Sequence, residues 1–212
     1  MHIETLVVGS LEANCYLVWS EPRQAIVIDP GADADVVSSA LDEHGLDVAA
    51  YLLTHGHVDH ISGLARLYRR EAAPVGIHSL DGSWSFESEN HLPPFYGSPE
   101  RPPNIYRDLG HGQKWEDGGM AYTVLSTPGH TPGSVCFWFP EDHSLFSGDT
   151  LFAGSVGRTD LPGGNPRALA RSLARIAALP EDTAVYPGHG QQTMISREKR
   201  CNPFMQRLEV MS

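Results

Sequence analysis

Short apolar runs separated by Gly, Asn and Pro dominate the first part of the chain. Ile3–Val8, Cys15–Trp19 and Ala25–Ile28 are such runs, and they predict three strands. The pattern then lengthens. Asp33–His44 reads as a helix, with Asp33 or Asp35 able to cap its start and Gly45 following its end. Tyr51–Leu53 is a brief apolar strand, and Ile61–Arg70 sets Ile61, Leu64 and Tyr68 at helical spacing. Strands are expected again near Val75–His78, Met120–Leu125, Val135–Phe139 and Leu145–Phe146, and another apolar run lies at Thr183–Val185. A helix is expected over Pro166–Ala178, where proline suits the first turn and Leu169, Leu173 and Ile176 recur on one face. The elements alternate with no internal repeat and no low-complexity linker, so a single domain over residues 1–212 is expected.

Composition narrows the setting. With 212 residues and 41% hydrophobic content, the chain can bury one large core. A formal charge of −11 opposes a phosphate-tracking surface, so nucleic acid is not an expected partner. Cys15, Cys136 and Cys201 are odd in number and scattered, which fits free thiols in a reducing compartment. Cys136 lies within an apolar run and reads as core rather than nucleophile. The amino terminus has no basic region followed by a long apolar core, and Glu4 interrupts it early. Neither a secretory signal nor a membrane span is expected, and the cytoplasm is the expected location.

The chemistry concentrates in Thr54-His55-Gly56-His57-Val58-Asp59-His60. Three imidazoles and a carboxylate are the side chains that borderline divalent metals prefer. In an extended segment His55 and His57 point the same way and can converge on one ion. A helix beginning at Ile61 would swing Asp59 and His60 toward a second position. A pair of ions needs further ligands, and three candidates follow apolar runs inside Gly/Pro-rich turns. They are His130 in Pro128-Gly129-His130-Thr131-Pro132-Gly133, Asp149 after Gly148, and His189 in Pro187-Gly188-His189-Gly190. His2, His44 and His143 read as surface or satisfied groups, and no ligand role is expected for His78, His91 or His111.

This ordered set resembles the ligand pattern of the metallo-β-lactamase-fold superfamily over nearly the whole chain. The resemblance implies an α/β (α+β) fold, a four-layer αββα sandwich. It implies one metal held by His55, His57 and His130, a second held by Asp59, His60 and His189, and Asp149 bridging the two. Zinc is the first expectation for both divalent ions, with iron and manganese suited to the same donors. For Asp29 it suggests a carboxylate that orients a ligating ring from behind; a turn residue ahead of Pro30 is the plainer reading. Two ions bridged by hydroxide imply metal-assisted hydrolysis, with Asp59 as the catalytic group that orients the hydroxide or takes its proton.

The stretch Gly148-Asp149-Thr150-Leu151-Phe152-Ala153-Gly154-Ser155-Val156-Gly157-Arg158-Thr159-Asp160 resembles the hydroxyacylglutathione hydrolase (glyoxalase II) branch, especially its short bacterial members. Arg200-Cys201-Asn202-Pro203-Phe204 resembles the same short form. The implied activity is hydrolysis of small-molecule thioesters like hydroxyacylglutathione. Arg158 would anchor a substrate carboxylate by a bidentate contact, or form an ion pair with Asp160 or Asp149. Long-form enzymes add a carboxy-terminal helical region with glutathione contacts, and the stretch after His189 is too short for it. Arg197, Lys199 and Arg200 read instead as a solvated charged helix. The persulfide dioxygenase branch shares the fold and a similar Gly-Arg-Thr-Asp stretch, and would imply a single iron on His55, His130 and Asp149. The chain departs from it at Gly154–Arg158 and at Gly188-His189-Gly190. Lactone or ester hydrolysis is a third reading, and a non-catalytic metal-stabilised binding protein the last.

Residues 79–119 stand apart, with Pro93, Pro94, Pro99, Pro102 and Pro103 among aromatic and polar residues and no clear period. Such a segment is commonly functional. Trp84, Phe86, Phe95 and Tyr96 would form a lid-like apolar wall over the metals, or the segment is a packed surface excursion. The oligomeric state is not legible.

Overall fold

The computed structural model describes residues 1–20, 23–103 and 106–210. Its first sheet runs in chain order: β1 (His2–Val8), β2 (Ala13–Ser20), β3 (Gln24–Ile28), β4 (Asp47–Leu52), β5 (Val75–Ile77) and β6 (Tyr106–Asp108). β1, β2 and β3 pair antiparallel, whereas β3 to β6 are parallel. Parallel neighbours need crossover connections. α1 (Ala34–His44) joins β3 to β4, α2 (Val58–Ile61) and α3 (Leu64–Arg70) join β4 to β5, and α4 (Ser79–Gly82) begins the path to β6. The second sheet opens with the antiparallel strands β7 (Lys114–Asp117), β8 (Met120–Ser126), β9 (Val135–Phe139) and β10 (Ser144–Gly148). A small hairpin of β11 (Leu151–Phe152) and β12 (Ser155–Val156) follows, then α5 (Pro166–Ala177). β13 (Ala184–Pro187) lies parallel to β10, and β14 (Thr193–Met194) ends the sheet before α6 (Ile195–Cys201) and α7 (Pro203–Val210).

Side-chain alternation along the strands creates the layers. In β2, Cys15 and Leu17 join Val37 and Leu41 of α1 and Leu64 and Leu67 of α3, while Tyr16 and Val18 face the other sheet. In β9, Val135, Phe137 and Phe139 fill the space between the sheets. Cys136, pointing the other way, packs with Leu169, Leu173 and Ile176 of α5. Strands covered on both faces read as continuous apolar runs, which is why they were visible in the sequence. The result is the expected αββα sandwich. No helix among the described residues is long and apolar enough to cross a membrane.

Several local expectations are corrected. The helix expected over Ile61–Arg70 starts earlier, at Val58, and is interrupted after Ile61. Gly63 gives its N–H to the Pro30 carbonyl at 2.9 Å, a tertiary bond that competes with the helical ladder. Asp33 precedes α1 in a left-handed conformation and makes no side-chain cap; its carboxylate accepts from the Gly9 N–H at 2.8 Å instead. Gly45 ends α1 in the left-handed conformation, as expected. Residues 79–119 contain α4, β6 and β7, each too short to show a period in the sequence. The aromatic wall is only partly formed. Trp84 lies 5.6 Å from the His57 ring and Tyr96 is buried, but Phe86 packs on the first core layer and Phe95 is exposed.

Candidate metal centre

Loops from both sheets converge at the strand ends. His55 lies three residues past the end of β4, and the Thr54 carbonyl accepts from the Val135 N–H at 2.8 Å, stitching this run onto β9. His57 stays extended as the residue before α2, so Asp59 and His60 fall in the helix itself. His130 occupies the turn between β8 and β9, Asp149 follows β10, and His189 follows β13. Asn14 Nδ2 donates to the carbonyls of Pro187 and Gly190, both at 2.9 Å, bracing the His189 turn. At Gly188 only a glycine fits: a Cβ there would lie 2.2 Å from Asp149 Oδ1.

The structure gathers the predicted side chains into two triads. One donor atom from each of His55, His57 and His130 lies within 4.8 Å of the others, and the same holds for Asp59, His60 and His189. Within them His57 Nδ1 is 2.8 Å from His130 Nε2, and His60 Nε2 is 3.2 Å from His189 Nε2. Asp149 lies between the triads. Its Oδ2 is 3.5 Å from His130 Nε2 and 3.8 Å from His189 Nε2, and its Oδ1 is 3.5 Å from His60 Nε2.

Most of the rings are fixed from behind. His130 Nδ1 donates to the Arg158 carbonyl at 2.8 Å, His189 Nδ1 to the Leu11 carbonyl at 3.1 Å, and His60 Nδ1 to Asp29 Oδ2 at 3.1 Å. His55 Nδ1 lies 3.0 Å from Thr54 Oγ1. These partners leave each Nε2 facing inward, the arrangement that metal-bound histidines generally use. His57 is reversed, with Nδ1 inward. Asp29, His55 and His60 also cluster within 4.8 Å, but Asp29 touches the outward nitrogen of His60 and so backs that ring rather than sharing its inward face. Asp29 adopts φ 49° and also accepts from Thr54 N at 2.7 Å and Thr54 Oγ1 at 2.6 Å.

Electrostatics differ between the triads. Burial, then the neighbouring His130 and His60, push His57 down to about 3, and burial among imidazoles lowers His55 as well. Neutral rings with free lone pairs are what a metal requires. At His60 burial opposes the charge, yet Asp59, Asp149 and Asp29 outweigh it and lift the ring to about 10. Burial also opposes the charge on Asp59, but His60 and His189 hold its carboxyl well below the usual range. This second triad is built to neutralise a cation. Two buried atoms facing the centre, His55 Nε2 and Asp149 Oδ1, have no hydrogen-bond partner. Buried polar atoms are normally paired, so this donor set fits divalent metal.

Other predicted residues lie elsewhere. Arg158 forms a bidentate, exposed ion pair with Asp160, both bonds at 2.7 Å. His44 pairs with Glu4 and His143 with Asp182, both exposed or half-buried, and His78, His91 and His111 bond to neighbouring backbone. Sequence reading missed Thr54, Asn14 and Asp81. Nothing in their spacing marks them, because each acts through contacts distant in the chain.

Residues 8–189 match the family model described as the Metallo-beta-lactamase superfamily. The hydroxyacylglutathione hydrolase GloC of Haemophilus influenzae is 33% identical over 210 residues, covering 97% of this chain and 98% of that protein. The crystal structure of the BLEG-1 B3 metallo-beta-lactamase is similar with a TM-score of 0.90 at 33% identity, over 96% of this chain and 99% of that one. TTHA1623, solved in a di-iron-bound form, has a TM-score of 0.83 at 39% identity, over 95% and 99%. Fold, donor set and family match agree, and the chain belongs to the metallo-beta-lactamase superfamily of metallo-hydrolases.

Proposed function

We propose that this protein is a metal-dependent thioester hydrolase acting on small hydroxyacylglutathione-like substrates. The observation that carries this reading is Asp149, whose carboxylate reaches both triads and so suits a bridging position between two ions. His55, His57 and His130 would hold one ion and Asp59, His60 and His189 the other. Zinc is the metal proposed for both, with iron and manganese accepted by the same donors. The di-iron form of TTHA1623 supports a pair of divalent ions, and the likeness to GloC supports the substrate class.

When bound, the metal pair supplies a nucleophilic hydroxide near neutral pH and polarises the substrate carbonyl. The chain's own groups do the rest. Asp59 Oδ2, 3.3 Å from His189 Nε2, is the base placed to take the proton of the attacking oxygen. Thiolates are good leaving groups, so a carboxylate suffices even though His60 and His189 make Asp59 a weak base. Trp84 beside His57 excludes water from one flank. Arg158, exposed and paired with Asp160, is available to a substrate carboxylate that displaces the aspartate.

Thiol release from S-D-lactoylglutathione tests the reading, using metal-loaded protein with and without chelator. Chelator-sensitive release is expected. Absence of release overturns it and directs attention to oxygen uptake with glutathione persulfide. A β-lactam run in parallel separates thioesterase activity from the activity named for the B3 structure.

A further inference from the structure

Asp81 is a fully buried carboxylate outside both triads. It lies in α4, at the head of the irregular segment, and its carboxylate accepts from the loops carrying proposed ligands. Oδ2 accepts from the Gly56 N–H at 2.9 Å and from Thr131 Oγ1 at 2.6 Å. Oδ1 accepts from the Gly133 N–H at 2.7 Å. Gly56 separates His55 from His57, and Thr131 follows His130. One carboxylate therefore ties all three members of a single triad together, across 25 and 50 residues of chain.

A second side chain completes the grip. Asn90 Nδ2 donates to the Gly56 carbonyl at 2.8 Å and to the Ser85 carbonyl at 2.6 Å. Both polar backbone groups of Gly56 are thus held by residues 81–90. The approach at Gly133 is equally tight, since a Cβ there would lie 2.6 Å from Asp81 Oδ1. No comparable contact reaches the loops of His60 or His189 from Asp81 among the described bonds.

We infer that Asp81, assisted by Asn90, is a positioning residue that sets the separation of His55, His57 and His130 and so governs the metal affinity of that triad alone. Asp29 backs His60 directly and reaches the His55 ring through Thr54 Oγ1, whereas the Asp81 carboxylate contacts only the loops of the first triad. The inference rests on the proposed assignment of the triads as metal ligands.

Metal content and competitive chelator titration of wild type, Asp81→Ala and Asn90→Ala give a readout independent of turnover. Wild type should bind two ions; failure to do so would sink the ligand assignment itself. Asp81→Ala should weaken one ion by about 10–100-fold, the usual scale for a lost support behind a ligand, and leave the other unchanged. Adding His57→Ala to Asp81→Ala should cost little more at the retained ion, whereas adding His189→Ala should remove it. Asn90→Ala, the milder change, should show a smaller loss at the same ion and keeps the test decisive if Asp81→Ala does not fold. A folded Asp81→Ala or Asn90→Ala protein that binds both ions like wild type, or loses both equally, overturns the assignment.

Discussion

Replacing Asp29 by asparagine probes how a single buried proton governs the second triad. The substitution preserves shape, and asparagine tolerates the φ of 49° found there, so the backbone is not disturbed. In the native protein Oδ1 accepts from Thr54 N, while Oδ2 accepts from Thr54 Oγ1 and His60 Nδ1. Asparagine keeps one acceptor for Thr54 N and presents an NH₂ group where Oδ2 stood. The Thr54 hydroxyl can turn to accept. The imidazole cannot do so without moving its proton to Nε2, the nitrogen that lies 3.2 Å from His189 and 3.5 Å from Asp149. A proton there blocks ligation. Disturbing the partner of a ligating histidine weakens metal by about 10–100-fold, which corresponds to about 1.4–2.7 kcal/mol. Loss of the charge-assisted bond should cost the metal-free protein about 1.5–3 kcal/mol. Competition with a chromophoric chelator measures the first quantity, and denaturant unfolding of the chelated protein the second. The ion proposed at Asp59, His60 and His189 should weaken most, with a smaller loss at the other, whose His55 ring reaches Asp29 only through Thr54. Wild-type affinity at both ions would refute the reasoning, because Asp29 would then have no hold on the His60 tautomer.

Metal removal should lower the thermal midpoint, since an ion at a thousand times its Kd adds about 4 kcal/mol; identical melting of loaded and chelated protein would contradict a native-state metal centre. Cys15 and Cys136 are buried, and burial pushes the Cys136 thiol up to about 11, whereas Cys201 is exposed. One thiol should therefore react with a disulfide reagent in the native protein and three after unfolding. Arg158→Ala should raise KM for a carboxylate-bearing thioester with kcat and thermal midpoint nearly unchanged; an unaltered KM would leave the arginine only its pairing with Asp160. Gly188→Ala drives a methyl group against Asp149 Oδ1, and should destabilise the protein by about 1–3 kcal/mol while weakening metal. Denaturant unfolding with and without chelator separates the two effects.

The candidate site was legible because its donors are chemically rare and locally grouped. His55, His57, Asp59 and His60 fall within one short run, and His130, Asp149 and His189 each stand in a turn marked by glycine. The layered fold was legible for a related reason: strands such as β2, β3 and β9 are covered on both faces and leave uninterrupted apolar runs. Periodicity failed where a long-range bond outweighed local preference. Gly63 turns to Pro30 and breaks the expected helix, and Asp33 turns to Gly9 instead of capping α1. The proline-rich segment hid β6 and β7 because brief strands show too few repeats to reveal a period.

The sequence by itself determined the donor set, the strand runs and the family likeness, all of which depend on residue type and near-neighbour spacing. The family likeness already implied the two triads and the place of Asp149 between them; tertiary structure alone decided which groups hold each ring. Asp29 reaches His60 across 31 residues, Asp81 reaches Thr131 across 50, and the Leu11 carbonyl reaches His189 across 178. Hydrogen bonds act over about 3 Å of space, and no local pattern records which distant residues folding will bring within that reach.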